Sequence, residues 1–223
     1  TLNRYSDIAK ELVALFNARF DPENSGGKSE DKIFEQFLGA LDAVVSLDDE
    51  RILRRFANVI KSTLRTNFYQ LAADGQPDKV ISLKIESREI EELPEPKPFR
   101  EIFVYSPEVE GVHLRFGKVA RGGVRGSDRA QDFRTEVLGL VKAQQVKNAV
   151  IVPAGAKGGF VTKNLPTDGS RGEIMQEGIA CYQGFIGGLL DLTDNLRDGS
   201  IVAPKNTICF DDQDPYLVVA ADK

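Results

Sequence analysis

The chain has 223 residues, 41% hydrophobic and 28% charged, with 34 acidic against 29 basic side chains and a net charge of −5. That length supports one substantial core, and the acidic balance excludes nucleic acid as the main partner, because phosphate binding needs a basic surface. No apolar run is long enough to span a bilayer, and the opening TLNRYSDIAKE does not read as a secretory leader.

Apolar residues at helical spacing predict three helices in the first third. Ile8, Leu12, Leu15 and Phe16 line the first, and Ile33, Phe34, Phe37, Leu38, Leu41 and Val45 the second. Ile52, Leu53, Phe56, Val59, Ile60 and Leu64 line the third, with Asp48 as its expected cap. Ser25-Gly26-Gly27-Lys28-Ser29 is a polar connection. No chemistry-bearing cluster falls here, so residues 1–73 are expected to be a helical part packing on a sheet formed by the rest of the chain.

The texture changes at Asp74. Val80 to Ile85 alternates with a period of two, as a half-buried strand does. Glu91 to Pro98 is a Pro-rich loop, and Ile102–Tyr105 and Val112–Phe116 read as further strands. His113 is the only histidine and has no cysteine nearby, so it is expected to be structural and no metal site is expected. Arg115, Lys118, Arg121, Arg125, Arg129 and Arg134 then load positive charge into a short span. Such a run is ordinarily solvated; here it flanks Gly122-Gly123, so an anion site competes with that reading.

Residues 121–159 read as two Gly-rich turns around one helix and one apolar strand. Ser127 and Asp128 are expected to start the helix, and Asn148 to end it. Phe133, Val137 and Leu140 mark its core face, and the same face continues to Gln144 and Lys147. Two readings of Lys147 stand side by side: an inward cation that must be paired or neutralised, or a solvated lysine at a helix C-terminus. Ala149–Val152 reads as a buried strand leading into Gly155-Ala156-Lys157-Gly158-Gly159. Lys157 is either an ordinary turn lysine or a group placed at a strand end, where open α/β sheets hold ligands.

After Phe160 a polar loop leads to a long helix with Ile174, Gly178, Tyr182, Phe185 and Leu189 on its buried face. Gly184, Gly187 and Gly188 either allow close packing or interrupt it. Asn206–Phe210 and Tyr216–Ala221 read as short apolar strands, and Asp222 is either a turn residue or a site carboxylate at a strand end. Cys181 and Cys209 are too few for a disulfide framework and fit a reduced cytoplasm; a lone disulfide stays open. The chain contains no Gly-x-Gly-x-x-Gly after a strand, no His-Glu-x-x-His, no Cys-x-x-Cys pair and no Gly-x-Ser-x-Gly. Gly111 to Lys118 only mimics a phosphate loop, with Val119 where a Ser or Thr belongs.

The combination is more specific than its parts. RGGVR, SDRAQDFRTEVLGLVKAQQVKN and AVIVPAGAKGGF resemble the substrate domain of glutamate dehydrogenases, most closely the large NAD-dependent bacterial class. RTNFY at Arg65–Tyr69, EIFVYSPEVEGVHLRFGKVARGG at Glu101–Gly123 and DPYLVVAADK at Asp214–Lys223 extend the likeness over nearly the whole chain. The resemblance implies an α/β fold, with N-terminal helices plus a mixed β-sheet flanked by helices. Residues 74–223 would be the substrate and catalytic domain, with the nicotinamide-binding Rossmann domain absent from this piece.

The resemblance also assigns roles. Arg121 matches a lysine that binds the substrate's distal carboxylate, and Gln144 and Lys147 match residues that hold the α-carboxylate. Lys157 matches the catalytic lysine and Asp222 the catalytic aspartate, and the backbone of Gly122 and Gly123 would lie against the substrate. The implied reaction turns L-glutamate into 2-oxoglutarate and ammonia, with NAD bound mainly by a domain outside this piece. A cytoplasmic homo-oligomer is expected, and the piece alone is expected to be inactive. The spacing from Lys147 to Lys157 is tighter than in the small hexameric enzymes, and Gly126 stands where the large class usually has a bulky aromatic. Competing readings are a dehydrogenase of another amino acid, a non-catalytic carboxylate sensor, and an interaction module built on the N-terminal helices.

Overall fold

Three amphipathic stretches fold into three helices that bury one side each. In the computed structural model, which describes residues 1–24, 29–72, 74–147, 152–166 and 168–221, these are α1 (Ser6–Phe20), α2 (Glu30–Ala40) and α3 (Leu47–Ser62). Their shared core holds Ile8, Leu12, Leu15, Ile33, Phe37, Leu41, Val44, Leu53 and Ala57. The cap of α3 is Ser46, not the expected Asp48: the Ser46 hydroxyl accepts from the Asp49 amide at 3.3 Å, satisfying one of the helix's free donors. Helix α3 also stops before Leu64. Thr63–Thr66 forms strand β1 instead, so the sheet begins before residue 74.

Strands β2 (Ile81–Ile85), β3 (Arg100–Tyr105), β4 (Val109–Arg115), β5 (Arg121–Gly126) and β6 (Gly155–Thr162) complete a six-stranded sheet in the order β1-β2-β3-β4-β6-β5. Every pair is antiparallel except β5 and β6, which run parallel, so the sheet is mixed. The crossover from β5 to β6 is α4 (Phe133–Val146), which packs on one face over Val112, Leu114 and Val161. Helix α5 (Arg171–Leu190) covers the other face, over Ile102, Val104, Val109, Val124 and Phe160. It runs unbroken through its glycines. At Gly188 the backbone lies so close to β2 and β3 that a Cβ would stand 2.5 Å from the Ser82 hydroxyl and 2.9 Å from Val104. Its first two turns are mostly exposed, Ile174 included, and the buried positions are Cys181, Phe185, Gly188 and Leu189. No helix among the described residues is long and apolar enough to cross a membrane.

The two Gly-rich segments read as turns are strands β5 and β6. The intervening helix starts at Phe133 rather than at Ser127. The Ser127 hydroxyl is engaged with Glu136 at 2.5 Å and with the Arg129 amide at 3.1 Å, and Arg129 pairs with Asp132, so residues 127–132 form a separate turn. The strand expected at 149–152 and the helix end at Asn148 lie largely outside the described residues. Val152, which is described, has no regular structure.

Past α5, a hairpin of β7 (Asn195–Arg197) and β8 (Ser200–Val202) turns at Asp198 and Gly199. Both have positive φ, at 51° and 79°, as a tight hairpin requires. Neither Asn206–Phe210 nor Tyr216–Ala221 is a strand. Residues 211–221 instead form a strap across the α5 side of the sheet. Its anchor is a buried chain of alternating charges. Arg65 grips the Asp194 carboxylate at 2.7 and 3.2 Å and Asp211 at 2.5 Å. Lys84 bridges Asp211 at 2.7 Å to Asp214 at 2.8 Å, and Arg115 closes on Asp214. The three cations are buried. Three positive and three negative groups alternate, which is the arrangement buried ions need if their desolvation is to be offset. Further along, the Tyr216 hydroxyl donates to the Ala120 carbonyl at 2.6 Å, and Val124 of β5 donates to the Ala220 carbonyl at 2.8 Å.

Candidate active site

Strands β5 and β6 meet closely because glycines leave room. A Cβ on Gly122 would stand 1.5 Å from the Ala156 carbonyl oxygen, so no side chain fits there. The parallel register sets Arg121 beside Gly155, Gly123 beside Lys157 and Arg125 beside Gly159. On β6, a Cβ at Gly159 would lie 2.4 Å from Val137 of α4, and one at Gly155 would lie 3.0 Å from the Val141 carbonyl oxygen. Side chains alternate along a strand, so Lys157 projects on the same side, in a slot between two glycines and beside α4. Val124 packs in the core on the α5 side, which turns Gly123 and Arg125 toward the α4 side as well.

The slot is electropositive. Burial, then the Arg125 charge, then the Lys147 charge push the Lys157 ammonium below its ordinary value, since desolvation and like charges both disfavour the charged form. Six cations lie between residues 115 and 134, and four of them have carboxylate partners. Arg115 pairs with Asp214, Lys118 approaches Asp212 at 3.8 Å, Arg129 pairs with Asp132, and Arg134 meets Glu101 at 2.6 Å. Among the described residues, Arg121, Arg125 and Lys147 have no carboxylate partner.

The structure brings Gly122, Gly123, Lys147 and Lys157 together, with Arg121 exposed at the start of β5. Gln144 is half-buried on the flank of α4. The core face of α4 differs from the expected one. Phe133, Val137, Leu138 and Val141 are buried, and the next residue over the sheet is Gln145, whose Cγ would be 3.2 Å from a Cβ on Gly155. Lys147 is exposed at the end of α4, so it does not continue the apolar stripe inward. Asp222 lies outside the described residues. Ala221, just before it, bridges to Val124 of β5. His113 is buried in β4 with Nε2 2.8 Å from the Val218 carbonyl, and burial takes its pKa down to about 4. Its neutral ring therefore donates from Nε2 to the strap.

Sequence reasoning gave Arg125 no individual role and missed the buried charge chain. Its visible signal was Ser82 and Lys84 alternating with isoleucines and leucine in β2, where the polar set turned out to be the more deeply buried one. A cleft of about 720 Å³ between α2, α3 and residues 91–92 lies elsewhere. Its Arg54 and Arg55 pair with Glu50 and Glu92, and Asp48 and Glu91 also line it, so its lining mixes both signs of charge, unlike the slot around Lys157.

Residues 36–223 match the family model described as bacterial NAD-glutamate dehydrogenase, catalytic domain. NAD-specific glutamate dehydrogenases of Pseudomonas aeruginosa, Halomonas elongata and Mycobacterium tuberculosis are 60%, 55% and 52% identical to the chain over its whole length. The chain spans 14% of the length of each of these relatives. From residue 36 onward, through the glycine slot and the cations around it, the chain belongs to the catalytic-domain family of bacterial NAD-glutamate dehydrogenases.

Proposed function

We propose that this chain forms the substrate-holding and catalytic part of an enzyme that oxidatively deaminates L-glutamate to 2-oxoglutarate and ammonia with NAD. The observation that carries the reading is Lys157, a lysine with a lowered pKa in a glycine-walled slot, bracketed by cations that have no carboxylate partner among the described residues. The names of the relatives support it. The reading takes residues 74–223 as a glutamate dehydrogenase substrate domain and gives most NAD contacts to a separate Rossmann domain. It places the enzyme in the cytoplasm, in keeping with two free cysteines.

In this reading Arg121 holds the distal carboxylate. Gln144 and Lys147 hold the α-carboxylate, and Gly122 and Gly123 let the substrate lie against the backbone. Arginine offers a planar fork suited to a carboxylate. Fixing both ends orients the Cα–H bond, and such orientation supplies several kcal/mol in favourable cases, roughly 7–11 at the upper limit. Bound NAD supplies the acceptor for the hydride that leaves Cα. The iminium carbon of the substrate then takes water. Lys157 in its neutral form, which burial and the neighbouring charges make easier to reach, accepts a proton from that water. Asp222 passes protons to the departing nitrogen, ammonia leaves, and the carbon is left as the ketone of 2-oxoglutarate.

Lys157→Met in the full protein should lower turnover about a hundredfold or more, the usual worth of a positioned general base, while 2-oxoglutarate still binds in calorimetry. Unchanged turnover refutes the assignment. Arg121→Leu should raise KM for glutamate more than for an apolar amino acid, and equal effects would point to a different substrate class.

A further inference from the structure

Among the described residues no backbone hydrogen bond joins the strap to β4, yet its carbonyls are taken one after another by other donors. Arg115 donates to the Tyr216 carbonyl at 3.2 Å, and His113 donates from Nε2 to the Val218 carbonyl at 2.8 Å. The Tyr182 hydroxyl reaches the Val219 carbonyl at 3.4 Å, and the Val124 amide donates to the Ala220 carbonyl at 2.8 Å. Residues two apart on a strand point to one face. His113 and Arg115 hold carbonyls two apart in the opposite order, so the strap runs antiparallel over β4 on rungs made of side chains.

His113 differs from the other donors in what lies on its far side. Strand β4 pairs with β6 so that His113 stands opposite Gly158, the neighbour of Lys157. Lys157 projects toward α4, so position 158 faces the strap. A Cβ at Gly158 would stand 3.3 Å from His113 Cδ2 and 2.8 Å from Val124 Cγ2, so the glycine makes room for the imidazole. The buried ring thus spans from β6, directly behind Lys157, to the strap. From Val218 the strap continues to Ala220 and Ala221, which meet β5 at Val124. Asp222 comes next in the chain. Arg115 acts farther upstream and is shared with Asp214, and the Tyr182 contact is long. His113 is the short side-chain clamp nearest to position 222.

We propose that His113 is a positioning residue for the reaction: by clamping the Val218 carbonyl to β6, it sets where the strap delivers the Asp222 carboxylate relative to Lys157. The inference rests on the roles given above to Lys157 and Asp222. A proton passes only between groups within hydrogen-bond reach, and a misplacement of about 1 Å can cost a hundredfold in rate. A segment held by isolated bonds shifts when one is removed, whereas a strand in a full ladder stays in register.

The test is steady-state kinetics of the full protein at saturating glutamate and NAD, as wild type, His113→Gln and His113→Asn, with 2-oxoglutarate titrated separately by calorimetry. The amide nitrogen of glutamine stands about where histidine Nε2 does, and that of asparagine stops short of it. His113→Asn should lower kcat about tenfold or more, and His113→Gln should keep most of it. Affinity for 2-oxoglutarate should be unchanged in both, since the proposed carboxylate anchors lie on the α4 side. His113→Asn is then repeated on Asp222→Asn. A residue acting through Asp222 adds nothing to the loss already present there, whereas a role in folding alone lowers the residual turnover by the same factor in both backgrounds. Full kcat in His113→Asn overturns the proposal. So does loss of 2-oxoglutarate binding, an equally large kcat loss in His113→Gln, or the same factor on Asp222→Asn. Wild-type kcat in Asp222→Asn alone would instead remove the carboxylate's assigned role, and the part given to His113 would fall with it.

Discussion

Lys157 is governed by its immediate surroundings. Two glycines keep its slot open, burial raises the cost of its charge, and Arg125 and Lys147 add repulsion. Its pKa therefore lies below the ordinary 10.5, and the proposed mechanism uses its neutral amine. The rate should rise with pH and level off above an inflection lower than that value. Lys147→Gln removes one of the repelling charges, so the inflection should move up. A kcat/KM profile against pH reads it directly, and an inflection that stays put or falls would contradict the electrostatic coupling. At this scale the residue types were legible and their orientation was not. Phe133, Val137 and Leu140 suggested a face continuing to Gln144 and Lys147. The buried set in fact includes Leu138 and Val141, a rotation that takes Gln145 over the sheet and leaves Lys147 exposed. A helix only four turns long fixes its apolar direction too loosely for a sequence pattern to resolve such a rotation.

At the scale of elements, glycine was the misleading signal. Runs of glycine usually mark turns, yet Gly122, Gly155 and Gly159 lie within strands, where they admit a neighbouring strand or helix. Gly159→Ala should destabilise the protein by about 1–3 kcal/mol, the usual cost of overpacking, and Val137→Ala in the same chain should restore part of it. Denaturant melts of the single and double variants check this; additive losses would mean that α4 does not rest on Gly159. The three N-terminal helices and β2, β3 and β4 were legible because long apolar periodicities specify them. The strap was not, since a segment held by side-chain ions and isolated backbone bonds has no periodicity to read. Lys84→Met leaves Asp211 and Asp214 short of a cation and should cost about 3–5 kcal/mol, as breaking a buried ion pair does. Chemical denaturation gives the number, and a loss near zero would mean the charge chain is solvated.

For the whole molecule, Phe210 and the strap that follows it tie the N-terminal helices, the sheet and the site edge together. Arg19 grips Glu30 at 2.9 Å, donates to the Thr63 carbonyl at 3.1 Å and stacks 3.8 Å from the Phe210 ring. At the other end, Ala220 and Ala221 lie against β5. Asp214 is the central link. Burial acts to raise its pKa, but hydrogen bonds from Arg115 and Lys84 and their charges hold the carboxyl below its ordinary 3.8. Its contribution is therefore complete above that value and is lost as pH falls through the lower folded value. Acid melts should show stability falling below about pH 4, with Asp214→Asn flattening that limb; an unchanged limb would place the acid sensitivity elsewhere. The family resemblance, carried by motifs spread over most of the chain, was the most legible feature of all, and the match from residue 36 onward bears it out.

A crystal structure of the full protein with 2-oxoglutarate puts the site to its most direct trial. The distal carboxylate should rest on Arg121, the other on Lys147 and Gln144, and the keto carbon should face the Lys157 amine. Density for the ligand in the α2–α3 cleft, or away from Lys157 altogether, would contradict the site.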